Sequence, residues 1–566
     1  MNKHNIFTIQ VKDRNYNEFC IIDSNNQNVD PNIIDPINTK LFNGDKFIIN
    51  DNKIKIIDSP IKNNLIPGVL ILKNSKTYGR KDGDGKLYYK FLPKDPTLPS
   101  FLVPYEIKYI GFSKVLINIY IVINFKDWDG KHPHGFVNQV IGPVNLLEHF
   151  YEYQLYCKNL NCSIQKFKQA TSKNINDIDH DLLINEVIKS KNIEDRTNIK
   201  TFTIDPEGSL DFDDGFSIQK IYDKYLISIY IANVPILLDH LNLWDHFTKR
   251  VSTIYLPNKK LPMLPNILSD TLCSLQENKK RLTFHLDIII NNKNEIESTN
   301  YGISVIKCYK NFRYEENSLL KLNEYNILLN LCKNLPEKYL EINNSHDLVA
   351  YLMILMNYYI SKSLLEKKIG IFRSSIIKKE NKLPENLSPD LLNFLKIFNS
   401  TSGQYLDINK IDNNSSLRHD LLNLNAYIHI TSPIRRLVDL LNMLILQKDI
   451  LSENAFEFYK NWINNIDLIN INMKSIRKLQ NECTLLELCT NNNQLMETTY
   501  SGWIIGKKYF ENNVISYNVY LPKLKLTSYV KLTEEYNVYD NLNFKLYLFT
   551  DEDNLKRKIR LAVIIS

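Results

Sequence analysis

Five carboxylates crowd one short run, Thr201–Ile218 (TFTIDPEGSLDFDDGFSI): Asp205, Glu207, Asp211, Asp213 and Asp214. No Lys or Arg lies between Lys200 and Lys220. Two like charges about 4 Å apart repel by about 4 kcal/mol at an effective dielectric of about 20. A loop that gathers four aspartates must therefore be relieved by protonation or by cations. Hard oxygen ligands suit Mg2+, and two such ions would neutralise four carboxylates. The spacing is not that of an EF-hand loop, and the bland alternative is a solvated acidic turn. Pro206 and Gly208 are turn formers, so the peptide is expected to leave a strand at Ile204, bend, and return at Phe216.

A second stretch, Tyr427–Leu441 (YIHITSPIRRLVDLL), carries the other chemistry. Thr431 or Ser432 is expected to cap a helix, with Pro433 in its first turn. Ile434, Leu437, Val438 and Leu441 would then form its buried face. Arg435 would sit near the helix N-terminus, where amides and the dipole favour a phosphate, and its fork suits bidentate binding. A surface salt bridge is the plainer role for such an arginine.

The elements that must position these groups are legible in outline. At 566 residues the chain has room for about three or four domains. Hydrophobic residues make up 44% and net charge is +7, which allows an anionic partner without requiring one. Eight Cys occur with no Cys-x-x-Cys, which fits a reducing compartment. The start, MNKHNIFTIQ, lacks the apolar core of a signal peptide, and the run Val115–Phe125 is too short to span a bilayer. Strand-like runs at Phe7–Val11, Phe19–Ile22, Lys46–Ile49, Ile54–Ile57, Val69–Leu72, Lys86–Phe91, Phe101–Val103 and Val115–Phe125 suggest small barrels or sandwiches. Lys73–Phe91 interleaves basic residues with Tyr78, Tyr88, Tyr89 and Phe91, a pattern suited to single-stranded nucleic acid or to an exposed hairpin with core tyrosines. Residues 145–200 turn helical in pattern, Tyr225–Val234 alternates like a strand, and five strand-like runs follow Thr498.

The wording of these stretches resembles the ribonuclease II/R (RNB) family. In its signature an Ile-Asp precedes Asp-x-Asp-Asp, matched by Asp205, Asp211, Asp213 and Asp214, with Gly215 where Ala is frequent. STIYLPNKKLPMLPNILSDTLCSL (Ser252–Leu275) resembles a long family stretch, which implies that Tyr255 stacks on the 3′-terminal base. Such stacking is worth about 1–3 kcal/mol and is indifferent to base identity. By the same resemblance Tyr314 lies near the terminal nucleotide, Arg435 is the catalytic arginine, and Arg436 supports it or contacts RNA. There are departures. Asn233 stands in place of a family Asp, Ala350 and Tyr351 replace two acidic residues, one of which helps recognise the last ribose, and Leu437 and Met443 replace Tyr and His. LPSFLVP and FKDWDGKHPHGFVNQVIG resemble the second cold-shock-type OB domain of eukaryotic members, GDKFII a reduced first one, and YNVYLPKLKLTSYVKL the C-terminal OB domain, with Lys523 and Lys525 as phosphate contacts.

The resemblance implies a multidomain protein of mixed α/β and all-β class. A central α+β RNB domain is flanked by N-terminal cold-shock-type OB barrels and a C-terminal OB barrel. The expected boundaries are 1–62 and 63–145 for the first two barrels, 146–199 for a helical connection, 200–492 for the catalytic domain and 493–566 for the last barrel. The pattern is nearest the eukaryotic-type members without their N-terminal endonuclease domain, so docking onto a larger RNA-decay complex is not expected. The implied function is processive 3′-to-5′ hydrolysis of single-stranded RNA to 5′-mononucleotides. Two Mg2+ ions, or Mn2+ in their place, would sit on Asp205, Asp211, Asp213 and Asp214. A monomer without a membrane partner is expected, in the cytoplasm, with the nucleus also compatible. Two rivals stand beside it: a catalytically silent RNA-binding protein of this fold, and a two-metal phosphoesterase acting on DNA.

Overall fold

Alternating strands near the start bury one face each, and the computed structural model shows where those faces meet. It describes residues 6–31, 34–50, 53–81, 83, 85–107, 116–175, 179–377, 387, 389–400, 403–411, 414–510, 514–551 and 556–564. The chain divides into two compact units, residues 1–161 with 481–496 and 547–559, and residues 162–480 with 497–546 and 560–566.

In the first unit, a five-stranded antiparallel sheet (Phe7–Val11, Phe19–Ile22, Asn28–Val29, Lys46–Asn50, Lys53–Asp58) precedes a closed five-stranded barrel. The barrel strands are Ile66–Leu70, Leu87–Pro93, Phe101–Tyr105, Ile119–Asp127 and His134–Pro143. The strand expected over Val69–Leu72 runs Ile66–Leu70, the one expected from Val115 begins at Ile119, Val115 itself lying outside the described residues, and the strand at His134–Pro143 was not anticipated. The sheet and the barrel share one hydrophobic core, in which Phe42 stacks on Phe101 and tilts against Trp128. Tyr89 and Phe91 are buried in that core, as the reading with core tyrosines has it, while Tyr88 is half-buried and Tyr78 exposed.

The second unit opens with helices Gln165–Ile175 and His180–Lys191 and then a sheet. Thr201–Asp205 pairs in parallel with the far half of the long strand Ile296–Arg313 and antiparallel with Asp214–Ile221. Lys224–Ala232 and Lys280–Ile290 follow, and the latter pairs back onto Ile296–Arg313, so the pairings run full circle through five strands. Fifteen Ile, Leu, Phe, Val or Tyr residues along these strands are at 3% exposure or less, and they supply the apolar face that the alternation of Tyr225–Val234 predicts.

The helix expected over Asp347–Asn357 runs Ser345–Glu366, capped by Asn344 on the Asp347 amide. It is long and apolar enough to cross a membrane, more so than Val115–Phe125, yet it is largely buried inside the protein. Its polar residues dock the segment that leads to Arg435: Asn357 donates to Tyr427 Oη and accepts from the Ile430 amide, and Ser361 donates to the Ala426 carbonyl. That segment ends in helix Leu437–Leu446, buried on every side from Leu437 to Ile445. Among its residues Asn442 makes three backbone hydrogen bonds, accepting from the Ile371 amide and donating to the Ile371 and His429 carbonyls. The C-terminal strands (Tyr500–Tyr509, Ile515–Leu521, Leu526–Leu532, Asn541–Asp551, Lys556–Val563) form the five-stranded sheet that the spacing led us to expect.

Asn442→Leu keeps the volume but orphans three buried backbone groups, so chemical denaturation should show a loss of about 3 kcal/mol or more. A loss below half that would mean water reaches those groups.

Candidate active site

The acidic loop is held by main-chain and hydroxyl contacts, none of which the charges themselves supply. Gly208 adopts φ +79°, completing the turn expected after Pro206. Ser274 Oγ donates to the Leu210 carbonyl and accepts from the Phe212 amide, and the Leu275 amide donates to the Phe212 carbonyl. Arg281, 2% exposed, fixes that support by donating to the Ser274 carbonyl and to Gln276. Asn311 ties Thr203 to the Leu275 carbonyl. None of these positioning residues was singled out from sequence, because their roles depend on strands that meet only in the fold.

Asp213 is 3% exposed and accepts from the Ile434 amide at 3.0 Å and from Arg435 Nε at 2.9 Å. Two motifs 222 residues apart thus meet in one ion pair. Arg435 Nη2 also donates to Ser432 Oγ, and its side chain remains 42% exposed. Burial works against the guanidinium charge, but the neighbouring Asp213 outweighs it and holds Arg435 firmly protonated. Burial raises Asp213 to about 6, against the opposing pull of Arg435 and the Ile434 amide.

Asp211 turns the other way. Its Oδ1 lies 2.7 Å from Lys260 Nζ, which also stands 3.6 Å from Asp270. Asp205 and Asp214 have no such cation in contact: each has a buried Oδ2 without a hydrogen-bond partner. Burial, and then mutual repulsion within the cluster, drives the pKa of both upward, Asp205 to about 7. Two buried carboxylate oxygens lacking a protein donor fit a hard cation such as Mg2+. The four aspartates are not gathered as one ready ligand set. Among the described residues no three His, Cys, Asp or Glu groups converge to hold a metal ion, because Asp211 faces Lys260 and Asp213 faces Arg435. Glu207 pairs with Arg313 at the exposed surface.

The expected helix cap is not what holds Arg435. The helix begins at Leu437, after Arg436, and residues 432–436 form a turn ahead of it. The reason is Asp439, fully buried, which accepts from the Ser432 amide and from Arg436 Nη2 and draws the turn back onto the helix. The Ser252 hydroxyl and the Thr253 amide also bind the Arg435 carbonyl. Arg436 is therefore paired with Asp439 and sits half-buried. Tyr255, 42% exposed, lies on the short hairpin Ile254–Leu256/Lys259–Leu261, directly opposite Lys260. Burial and the charge of Asp211 push its hydroxyl up to about 12. Tyr314 follows the strand end at Arg313, its amide donating to the Asp205 carbonyl and its ring leaning on His346. Burial and then the charges of Asp214 and Asp205 raise its hydroxyl as well. Asn233 donates to Gln447, so the family carboxylate it replaces is exchanged for a core contact. Tyr351 is buried, its hydroxyl on the Glu337 carbonyl.

The family model for the RNB domain matches residues 193–327 and 317–452, a span that contains every group described above. Residues 193–452 are an RNB domain. Ribonuclease R of Mycoplasmopsis pulmonis is 30% identical over 215 residues, 36% of this chain and 27% of that protein, so the match spans about a quarter of the curated relative. The fold is shared with the apo form of Mycoplasma genitalium RNase R, at 18% identity and TM-score 0.68, over 99% of this chain and 100% of that one. It is also shared with yeast Ssd1, described as a pseudonuclease, at 15% identity and TM-score 0.60, over 84% and 66%. The multidomain mixed α/β and all-β architecture, with one closed five-stranded barrel among the described residues, is of the class expected from sequence.

Because Asp205 is raised towards about 7, the folded RNB domain holds more protons than the unfolded chain between about pH 4 and 7. This contribution to stability is fully present at the acid end and lost as pH rises through the window. In EDTA, wild-type stability should fall relative to Asp205→Asn across that range; parallel pH profiles would contradict the assignment. Asp439→Ala leaves Arg436 unpaired and the Ser432 amide orphaned, and should cost about 3–5 kcal/mol in denaturant unfolding.

Proposed function

We propose that the protein is a metal-dependent 3′-to-5′ exoribonuclease that shortens single-stranded RNA to 5′-mononucleotides. One observation carries the reading: in an RNB domain, a half-exposed Arg435 is fixed against Asp213 beside Asp205 and Asp214, each of which has a buried Oδ2 without a hydrogen-bond partner. The relatives' names, ribonuclease R and exoribonuclease 2, support it. So does likeness to a Mycoplasma genitalium RNase R in complex with ribose-methylated single-stranded RNA.

Each residue then has a role. Arg435 holds the scissile phosphate and the negative charge that grows on it, already oriented by Asp213 and Ser432. Tyr255 offers its exposed ring to the 3′-terminal base, and Tyr314 borders the same end beside Asp205. Arg436 keeps the Arg435 turn in place through Asp439 and adds positive potential for the RNA backbone. Asp205 and Asp214 are the first ligands for Mg2+; Asp213 and Asp211 complete the four-aspartate, two-ion arrangement only if they share or release their present cations. A bound divalent ion supplies Lewis acidity at the phosphate and lowers the pKa of water that attacks it. Lys523 and Lys525 remain candidate phosphate contacts on the C-terminal sheet, and we assign the cytoplasm as the site of action.

The likeness to a pseudonuclease and the Asp211–Lys260 pair keep a silent RNA-binding protein as the second reading. Incubation with 3′- or 5′-labelled RNA and DNA, with Mg2+ or EDTA, separates the readings. Mononucleotides should appear from RNA with Mg2+ and vanish in EDTA. Asp213→Asn should abolish them with RNA binding retained, and Arg435→Ala should slow release by about a hundredfold or more. RNA bound but never cut with any divalent metal would favour the silent protein; equal cleavage of DNA would favour the phosphoesterase.

A further inference from the structure

We propose that Lys260 is a built-in counter-cation for Asp211, so that the site takes up one divalent ion, at Asp205 and Asp214, where a second protein cation is absent. This rests on the metal-dependent reading above and deepens it.

The charges divide cleanly. Arg435 neutralises Asp213 at 2.9 Å and Lys260 neutralises Asp211 at 2.7 Å, while the buried Oδ2 atoms of Asp205 and Asp214 accept from no donor. Lys260 is not a loose surface lysine that happens to swing past. It stands on a two-stranded hairpin whose partner strand carries Tyr255 directly opposite, and Asp270 flanks its ammonium at 3.6 Å. Asp270 in turn accepts from Ser269 Oγ at 2.7 Å, and its carbonyl accepts from Gln276. The side chains of Asp211 and Asp270 are 12% and 17% exposed and that of Lys260 is 32% exposed, so water screens the carboxylates less than the ammonium. An ammonium at hydrogen-bond distance and a dication cannot share one such carboxylate without strong repulsion. Asp211 is therefore a weak ligand while Lys260 is present, and a strong one once that charge is gone. The same hairpin links the device to the substrate end, since Tyr255 and Lys260 are cross-strand neighbours and Asp211 acts on both.

The test is a titration of the metal-free full chain with Mn2+, reading the unbound ion by electron paramagnetic resonance and the heat by calorimetry. Wild type should take up one Mn2+ per chain. Lys260→Met should take up two, and Lys260→Arg, which keeps the charge, should return to one. Two ions in wild type would overturn the inference, whether or not Lys260→Met folds, and so would identical titrations for wild type and Lys260→Met. No Mn2+ bound by wild type would overturn the metal-dependent reading itself and this inference with it. RNA cleavage with Mg2+ by a wild type that binds two Mn2+ would leave the exoribonuclease reading standing and remove only the role of Lys260.

Discussion

Burying carboxylates next to one another is the constraint from which the rest of this site follows. A carboxylate taken out of water must be paired, hydrogen-bonded or protonated. The RNB domain answers differently at each of its four aspartates. Asp213 receives an arginine and a backbone amide, Asp211 receives a lysine, and the Asp205–Asp214 pair receives neither. Their pKa values rise accordingly, and the unrelieved charge is what makes the pair a place for a cation.

Such a site holds its shape only if the backbone around it is fixed by something other than the charges. Ser274, set by the buried Arg281, pins the loop at Leu210 and Phe212. On the opposite side Asp439 draws the Ser432–Arg436 turn onto a helix buried from Leu437 to Ile445, and Asn357 and Ser361 anchor the approach to it. Arg435 is thereby delivered to Asp213 by a chain of neutral hydrogen bonds and one buried ion pair. Preorganisation of this kind is what lets a guanidinium act on a developing charge without rearranging.

Much of this was legible in the residues. The turn at Pro206–Gly208, the strands on either side, the closed barrel of the first unit and the meeting of the acidic run with Arg435 all follow from local pattern and from family wording. The helix start did not. Ser432 and Pro433 are good opening residues for a helix, but Asp439 competes for the Ser432 amide from inside the helix, and the first helical residue becomes Leu437. The aromatic stretch before Phe91 left two readings open, and the core one holds for Tyr89 and Phe91: both alternate into a barrel core, and alternation alone cannot say which face is wet. Lys260 was hidden in plain sight within NKKLP. Only the hairpin register, which sets it opposite Tyr255, brings it to Asp211.

The claim that an uncompensated Asp205–Asp214 pair is what a divalent ion relieves can be tested without substrate. Thermal unfolding should be followed at neutral pH for wild type and for an Asp205→Asn/Asp214→Asn double variant, in MgCl2 and in NaCl of equal ionic strength. The account predicts that Mg2+ raises the melting temperature of wild type well beyond the effect of NaCl, while the double variant melts higher than metal-free wild type and ignores Mg2+. An equal response to Mg2+ in both proteins would contradict it.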